Sequence, residues 1–171
     1  MMESLNSYAM RLERALKKDK EYRDYNKDAR HATVVLSVSF RHAKQEIRLL
    51  SNKLDPELYA SPGFLSEFYP FLGDPEKRLR ILVESDIEER HPIMVAARDY
   101  PDRLTIKRVP EDVVGQYPFN FMIVDRKGYR FESDRADFAA MVEFNNDHAR
   151  YLVGQLEKAF DQLDSQSEPV L

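Results

Sequence analysis

The chain has 171 residues, enough for one domain with a sizeable core; 43% are hydrophobic and 33% charged, which excludes a disordered chain. The formal net charge of −4 argues against a general nucleic-acid-binding protein. There is no cysteine, which excludes disulfides, thiolate zinc sites and a cysteine nucleophile, and is typical of the cytoplasm.

An amphipathic helix is predicted at the start of the chain. Leu5, Tyr8, Leu12 and Leu16 recur at helical spacing, which predicts a helix over about residues 3–18. The charged segment KKDKEYRDYNKDAR that follows is predicted to be a solvated helix end or a hinge. We therefore expect residues 1–27 to form an N-terminal helical extension.

From residue 28 onwards, helical and strand patterns alternate along the chain. Helices are predicted at 32–44, 64–72, 91–100 and 151–163, with a short turn or helix at 55–59; strands are predicted at 46–51, 78–84, 104–106, 119–124, 129–131 and 140–144. This order predicts an α/β domain over residues 28–164, with a mixed sheet flanked by helices. The last residues, 165–171, are predicted to be a flexible tail.

Residues 118–135, which read PFNFMIVDRKGYRFESDR, carry the most informative pattern. An apolar strand leads through a turn into a second strand. The layout resembles the active-site strand and hairpin of the phospholipase D superfamily, in which His-x-Lys-x-x-x-x-Asp is followed by Gly-Ser-x-Asn. Asp125 stands at the aspartate position and Ser133 at the serine position. Pro118 replaces the histidine and Asn120 replaces the lysine.

The resemblance implies a phospholipase D-like domain that has lost its catalytic groups. In that family a histidine attacks phosphorus and a lysine holds the phosphate oxygens. Proline can neither attack nor carry a proton, so we expect no enzymatic activity. His42 and Lys44 form the only His-x-Lys pair of the sequence, but they lie on a predicted helix where they face different directions.

The resemblance also implies a vestigial ligand-binding cleft, with no catalytic residue. Its candidate residues are Asn120, Asp125, Tyr129, Arg130 and Ser133. Asp125 could instead organise the turn, and Asn120 could be a buried hydrogen-bonding residue. The basic residues of the hairpin could be solvated or could receive a phosphate.

Three further groups of polar residues have simpler interpretations. The four histidines show no metal-ligand spacing, so we expect neither a metal nor a cofactor. The acidic run at Glu84, Asp86, Glu88 and Glu89 is interpreted as a solvated loop. His148 is predicted to lie at the start of a helix that Asn145, Asn146 or Asp147 caps.

These expectations lead to a non-catalytic scaffold or regulatory protein of the cytoplasm. A single phospholipase D-like repeat normally faces a second copy, so we expect a homodimer whose contact surface includes the hairpin at 125–130. A complex with another protein is a second expectation. The alternatives are a phosphodiesterase or nuclease, and a nucleic-acid or nucleotide-binding module, which the net charge does not support. No apolar run approaches the ~20 residues of a membrane span, so we expect no membrane partner.

Overall fold

The apolar runs of the sequence lie side by side in one eight-stranded sheet. The computed structural model describes residues 3–26 and 28–171. The helices are α1 (Leu5–Lys17), α2 (Ala29–His42), α3 (Pro56–Tyr59), α4 (Pro62–Gly73), α5 (Pro92–Asp99) and α6 (Asp147–Gln166). The strands are β1 (Tyr22–Asn26), β2 (Glu46–Ser51), β3 (Arg78–Val83), β4 (Leu104–Arg108), β5 (Asn120–Val124), β6 (Gly128–Asp134), β7 (Ala139–Phe144) and β8 (Glu168–Pro169).

The sheet is mixed, and its order is β1-β7-β6-β5-β2-β3-β4-β8. Strands β2, β3 and β4 run parallel, because helices connect them, whereas the other neighbouring pairs are antiparallel. The predicted α/β fold, a mixed sheet flanked by helices, is therefore confirmed.

Each face of the sheet has its own hydrophobic core. Helices α1 to α5 contribute to the larger core, in which the rings of Phe40 and Phe64 lie 5.0 Å apart, edge to face. Helix α6 covers the opposite face, where Phe160 packs with Phe121 and Ile123 of β5. Alternate residues of β5 point into the two cores, as strand geometry requires.

The N-terminal segment is part of the sheet. Residues 17–30, predicted to be a solvated helix end or hinge, contain β1, which pairs with β7. Tyr22 is buried, while the carboxylate of Asp24 accepts a 2.6 Å hydrogen bond from Arg11 of α1. Asp24 therefore lies on the same face of β1 as the buried Tyr22, next to α1. The division of the chain at residue 27, which is itself outside the described residues, stays a prediction.

The C-terminal segment also has a definite place. Helix α6 continues to Gln166, and β8 then pairs with β4, so that the N–H of Val170 donates to the carbonyl of Ile106 at 3.0 Å. Residues 165–171, predicted to be a flexible tail, thus lie along one edge of the sheet. Val170 packs against the larger core.

A buried histidine begins α5. The Nδ1 atom of His91 accepts a hydrogen bond from the N–H of Ile93 at 3.1 Å, so its Nε2 carries the proton and donates to the carbonyl of Leu54 at 3.0 Å. Burial lowers the pKa of this imidazole. The neutral ring therefore caps the helix.

The β5–β6 hairpin turns at Asp125 and Arg126, whose φ angles are +51° and +60°. Positive φ at both central residues is the requirement of a type I′ turn. Gly128, part of the predicted turn signal, lies in β6 instead, where an added Cβ would come within 2.1 Å of the Phe144 ring. The glycine is required there by close packing.

Helix length and polarity are informative about membranes. Across residues 3–26 and 28–171, none of the helices combines the length and the apolar character that a membrane crossing requires.

Candidate functional site

The candidate site lies where β5 begins and β2 ends. Because these strands are antiparallel, with Leu50 opposite Phe121, the start of β5 adjoins the loops that follow β2 and β3. Asn120, the first residue of β5, lies opposite Glu132 of β6. Ligands of open α/β sheets commonly bind in the crevice beyond the carboxyl ends of the parallel strands. This edge of the sheet therefore carries the candidate site.

A closed network of hydrogen bonds fills the centre of the site. The Asn120 side chain accepts a 2.9 Å bond from the N–H of Asn52 and donates a 3.0 Å bond to one carboxylate oxygen of Glu132. The other oxygen of Glu132 accepts a 2.8 Å bond from Arg130, whose guanidinium also donates to the carbonyl of Phe138 at 3.1 Å. Arg130 and Glu132 are both buried. Their charges are thus compensated inside the protein.

Tyr59 of α3 forms a wall of the adjoining pocket. The pocket is small, with a volume of about 20 Å³, and Asn52, Lys53, Asn120 and Glu132 are among its other lining residues. Burial raises the pKa of the Tyr59 hydroxyl, an effect that the charge of Arg130 opposes. The hydroxyl is therefore protonated at neutral pH, and Lys53 is the exposed cation of this pocket.

A second buried ion pair lies next to the first. The carboxylate of Glu84 contacts the guanidinium of Arg135 and accepts a 2.9 Å bond from the N–H of Gly115. Arg135 also donates to the carbonyls of Tyr117 and Phe119, at 3.2 and 2.8 Å. Glu84 was predicted to belong to a solvated acidic loop, and that prediction was wrong, because the residue is 7% exposed.

Pro118 lies in the backbone segment that Arg135 holds. Both neighbouring carbonyl groups, of Tyr117 and Phe119, accept bonds from the same guanidinium nitrogen. The proline itself is exposed. At the position of the family histidine the chain therefore presents an exposed ring without an ionisable group.

Asp125 lies at the other end of β5, about 16 Å from Asn120 at the rise of an extended strand. Its carboxylate accepts hydrogen bonds from the N–H groups of Lys44, Gln45 and Glu46, at 2.7, 2.8 and 3.0 Å. The residue thus joins the β5–β6 turn to the loop before β2. This arrangement matches the predicted alternative in which Asp125 organises the turn. The structure does not bring Asp125 into the cleft.

Tyr129 and Ser133 also lie apart from the network. Tyr129 packs in the core under α6, on the face opposite Arg130, and burial followed by the charge of Glu143 raises the pKa of its hydroxyl. Ser133 is exposed and lies next to Glu132, at the irregularity between Glu132 and Asp134 in β6. Of the five predicted cleft residues, only Asn120 and Arg130 belong to the network, and Glu132 joins them.

The basic residues of the hairpin do not converge. Arg126 donates to Glu157 of α6 at 3.0 Å, and Lys127 donates to Asp19 at 2.9 Å. Arg130 is buried with Glu132. A shared phosphate site at this hairpin is therefore not formed.

Glu143 is a buried carboxylate whose environment the sequence did not indicate. It is fully buried in β7 and accepts hydrogen bonds from Nδ1 of His148 at 2.8 and 3.0 Å. Arg23 of β1 approaches the same carboxylate at 3.5 Å. Helix α6 begins here, and the side chain of Asn146 caps it by accepting from the N–H of Ala149 at 2.6 Å, which confirms the predicted helix start.

Metal ligands do not gather at this site. Among the residues that the structure describes, no three histidine or acidic side chains are placed to hold a metal ion. The groups that converge at the site are two arginines, two glutamates and an asparagine, arranged as neutral pairs.

Solved structures with this fold include proteins of different chemistry. The chain superposes on TrmBL2, an archaeal chromatin protein with a novel mode of DNA binding, with a TM-score of 0.63, 13% identity and coverage of 96% of this chain and 61% of that one. It superposes on NucT from Helicobacter pylori with a TM-score of 0.61, 8% identity and coverage of 88% and 99%. For phosphatidylserine synthase from Haemophilus influenzae the TM-score is 0.58, the identity 10% and the coverage 88% and 39%.

NucT and phosphatidylserine synthase have the phospholipase D-like fold, and this chain shares it. Identities this low establish the fold alone. The chain spans less than two thirds of TrmBL2. No curated protein sequence matches the chain. A family model, described as a domain of unknown function, DUF7931, matches residues 26–171. This match extends over most of the sequence, from the end of β1 to the last residue, and the chain therefore belongs to the DUF7931 family.

Proposed function

We propose that this chain is a catalytically inactive phospholipase D-like protein that acts as a scaffold or regulator, through self-association or in a complex with a protein partner. The observation that supports this proposal most directly is the position of Glu132. Its carboxylate lies between Asn120, at the position of the family lysine, and Arg130. The carboxylate of Glu132 therefore already accepts the hydrogen bonds from Asn120 and Arg130 that a phosphate would need.

The electrostatics of the site support the same proposal. A phosphate entering beside Asn120 would approach the negative charge of Glu132 at short range, in a partly buried pocket where charges interact strongly. Arg130 cannot turn towards such a ligand without leaving Glu132 unpaired, which is costly for a buried charge. With Pro118 in place of the nucleophile, the site has neither an attacking group nor a free cation at its centre.

An activity assay tests this proposal. Purified protein and the Asn120→Ala variant are incubated with single- and double-stranded nucleic acid and with a chromogenic phosphodiester. We expect no turnover by either protein above that of a mock purification. Turnover that the wild type shows and Asn120→Ala loses would show that the site is catalytic and would refute the proposal.

Self-association is proposed to involve the β5–β6 turn. Arg130 is buried, so Arg126 and Lys127 are the charged residues of this turn that are accessible to a second copy. Their pairs with Glu157 and Asp19 are surface ion pairs, which contribute little to stability and which a partner's carboxylates can replace. We expect light scattering to show a dimer at tens of micromolar, about the level that populates an ordinary interface. A dimer that persists in Arg126→Glu would show that the contact surface lies outside the β5–β6 turn. A monomeric wild type would refute self-association and leave the complex with a protein partner as the proposed mode of action.

Nucleic-acid binding is the second candidate, because TrmBL2, an archaeal chromatin protein whose mode of DNA binding is novel, has a similar fold over 96% of this chain. The net charge of −4 opposes it, since contacts with phosphates supply most non-specific affinity. We therefore rank it below the scaffold, which we place in the cytoplasm because the chain has no cysteine. Fluorescence anisotropy with labelled duplex and single-stranded DNA at low salt separates the two, and tight binding that weakens as salt rises would favour the nucleic-acid module.

A further inference from the structure

A large pocket lies at the carboxyl ends of β3 and β4, outside the network around Glu132. Its volume is about 410 Å³. Val83 and Met94 are buried in its floor, and Ile87 and Val170 line it as partly buried apolar residues packed against the larger core. Pockets that hold small organic molecules have this size and this mainly apolar lining.

Two guanidinium groups lie at the same pocket. Arg98 of α5 is exposed, and its guanidinium donates to the carbonyl of Glu89 at 3.3 Å but has no carboxylate partner among the described residues. Arg108, at the end of β4, contacts the carboxylate of Asp86, a side chain that is fully exposed. The buried Nε of Arg108 has no hydrogen-bond partner among the described residues. At the mouth of the pocket, the Arg98 guanidinium is therefore available to an anion, and the Arg108 guanidinium is paired only with a solvent-exposed carboxylate.

We propose that this pocket binds an amphipathic organic anion, a carboxylate with an unbranched apolar chain of about six to eight carbons. The chain lies on Val83, Met94 and Ile87, and the carboxylate is held by Arg98 and Arg108. Guanidinium groups suit this role because their planar donors match the two oxygens of a carboxylate. The proposal goes beyond the scaffold function and uses none of the residues that support it.

Asp86 gives the proposal a distinctive consequence. Its exposed carboxylate contacts Arg108 and competes with the ligand's carboxylate. Removing the charge of Asp86 therefore strengthens binding, whereas removing the charge of Arg98 or Arg108 weakens it. A non-specific hydrophobic site would not respond in these opposite directions.

The test is calorimetric titration of the full chain with straight-chain carboxylates from acetate to octanoate. We expect affinity to rise about fourfold for each added methylene until the floor is covered, since burying one contributes about 0.8 kcal/mol. Octanoate binding should weaken about tenfold in Arg98→Gln and in Arg108→Gln, the loss of one charge-assisted hydrogen bond. It should strengthen about threefold in Asp86→Asn, the effect of one surface ion pair.

The controls are matched in charge and position. Arg90→Gln neutralises an exposed arginine that lines the neighbouring pocket and should leave octanoate binding unchanged. Octylamine has the same apolar body with the opposite charge and should not bind. Arg98 and Asp86 are exposed, so Arg98→Gln and Asp86→Asn should fold like the wild type. These two variants therefore test the proposal even if Arg108→Gln does not fold. No binding at about 10 mM octanoate, equal binding of octylamine, or affinities that Arg98→Gln and Asp86→Asn leave unchanged would each overturn the proposal.

Discussion

Substitution of Asp125 tests how the β5–β6 hairpin is attached to the rest of the sheet. One carboxylate accepts three backbone N–H groups of the loop before β2, and its own backbone has φ of +51°. Because the loop is partly exposed, water replaces part of what is lost, and each bond contributes about 1 kcal/mol. Asp125→Ala loses about 3 kcal/mol with these bonds and about 1 kcal/mol more because alanine is strained in the left-handed region.

Two further variants separate these contributions. Asp125→Gly loses the same hydrogen bonds without the strain, so it should cost about 3 kcal/mol. Asp125→Asn keeps an acceptor oxygen for two of the three N–H groups and tolerates the left-handed conformation, so it should cost about 1 kcal/mol. The order of stability is then Asp, Asn, Gly, Ala.

Urea unfolding followed by circular dichroism measures these differences. With a slope of about 2 kcal/mol per molar urea, Asp125→Ala lowers the midpoint by about 2 M and Asp125→Asn by about 0.5 M. Asp102→Ala, at an exposed aspartate, is the matched control and should leave the midpoint unchanged. Equal midpoints for Asp125→Ala and Asp102→Ala would refute the structural role of this carboxylate.

Further substitutions test the packing, the buried ion pair and the helix cap. Gly128→Ala should destabilise the protein by about 2 kcal/mol because its Cβ would overlap the neighbouring ring, whereas Gly154→Ala, in open space on α6, should stabilise it by about 1 kcal/mol; thermal unfolding of both variants checks this contrast. Glu132→Ala should lower the free energy of unfolding by about 3 kcal/mol, since it leaves Arg130 buried without its partner. In urea unfolding, the double variant Arg130→Ala/Glu132→Ala should lose less stability than the two single variants together. Because the pKa of His91 is lowered by burial, the unfolded chain binds more protons as the pH falls below about 6.5, so the free energy of unfolding should fall from pH 7 to pH 5. His91→Asn keeps a capping acceptor without a titrating group, and unfolding measured across that range should show a smaller fall; an unchanged slope would exclude His91 as its source.

The fold was predictable where the apolar pattern is local. The runs at 78–84 and 119–124 indicated strands, and β3 and β5 are the buried strands that result. Strands β1 and β8 were missed because they are short edge strands with few apolar residues. They form because the backbone groups of β7 and β4 would otherwise lack a pairing partner at the edges of the sheet. Strands β7 and β4 lie far from β1 and β8 in the sequence, so the local pattern around β1 and β8 does not predict this pairing.

The candidate site was predictable in its position but not in its contents. Asn120 was found from its place in the motif, and the structure places it at the carboxyl ends of the parallel strands. Arg130 was predicted to belong to the cleft, where it could be solvated or could receive a phosphate, and its buried pairing with Glu132 was not predicted. Their burial depends on Tyr59 and Phe138, which approach from other elements. Sequence patterns near one residue do not report such partners.

The internal ion pair has a consequence for how this site relates to a catalytic one. A lysine introduced at position 120 would lie beside the carboxylate of Glu132, because the Asn120 side chain donates to that carboxylate at 3.0 Å. The new ammonium would pair with this internal anion rather than with a phosphate. A histidine introduced at position 118 would lie in a segment whose carbonyl groups on both sides accept hydrogen bonds from Arg135. The proposed inactivity therefore involves the ion pairs as well as the motif, because Glu132 and Arg135 hold the residues at positions 120 and 118, and an active site here would require changing both.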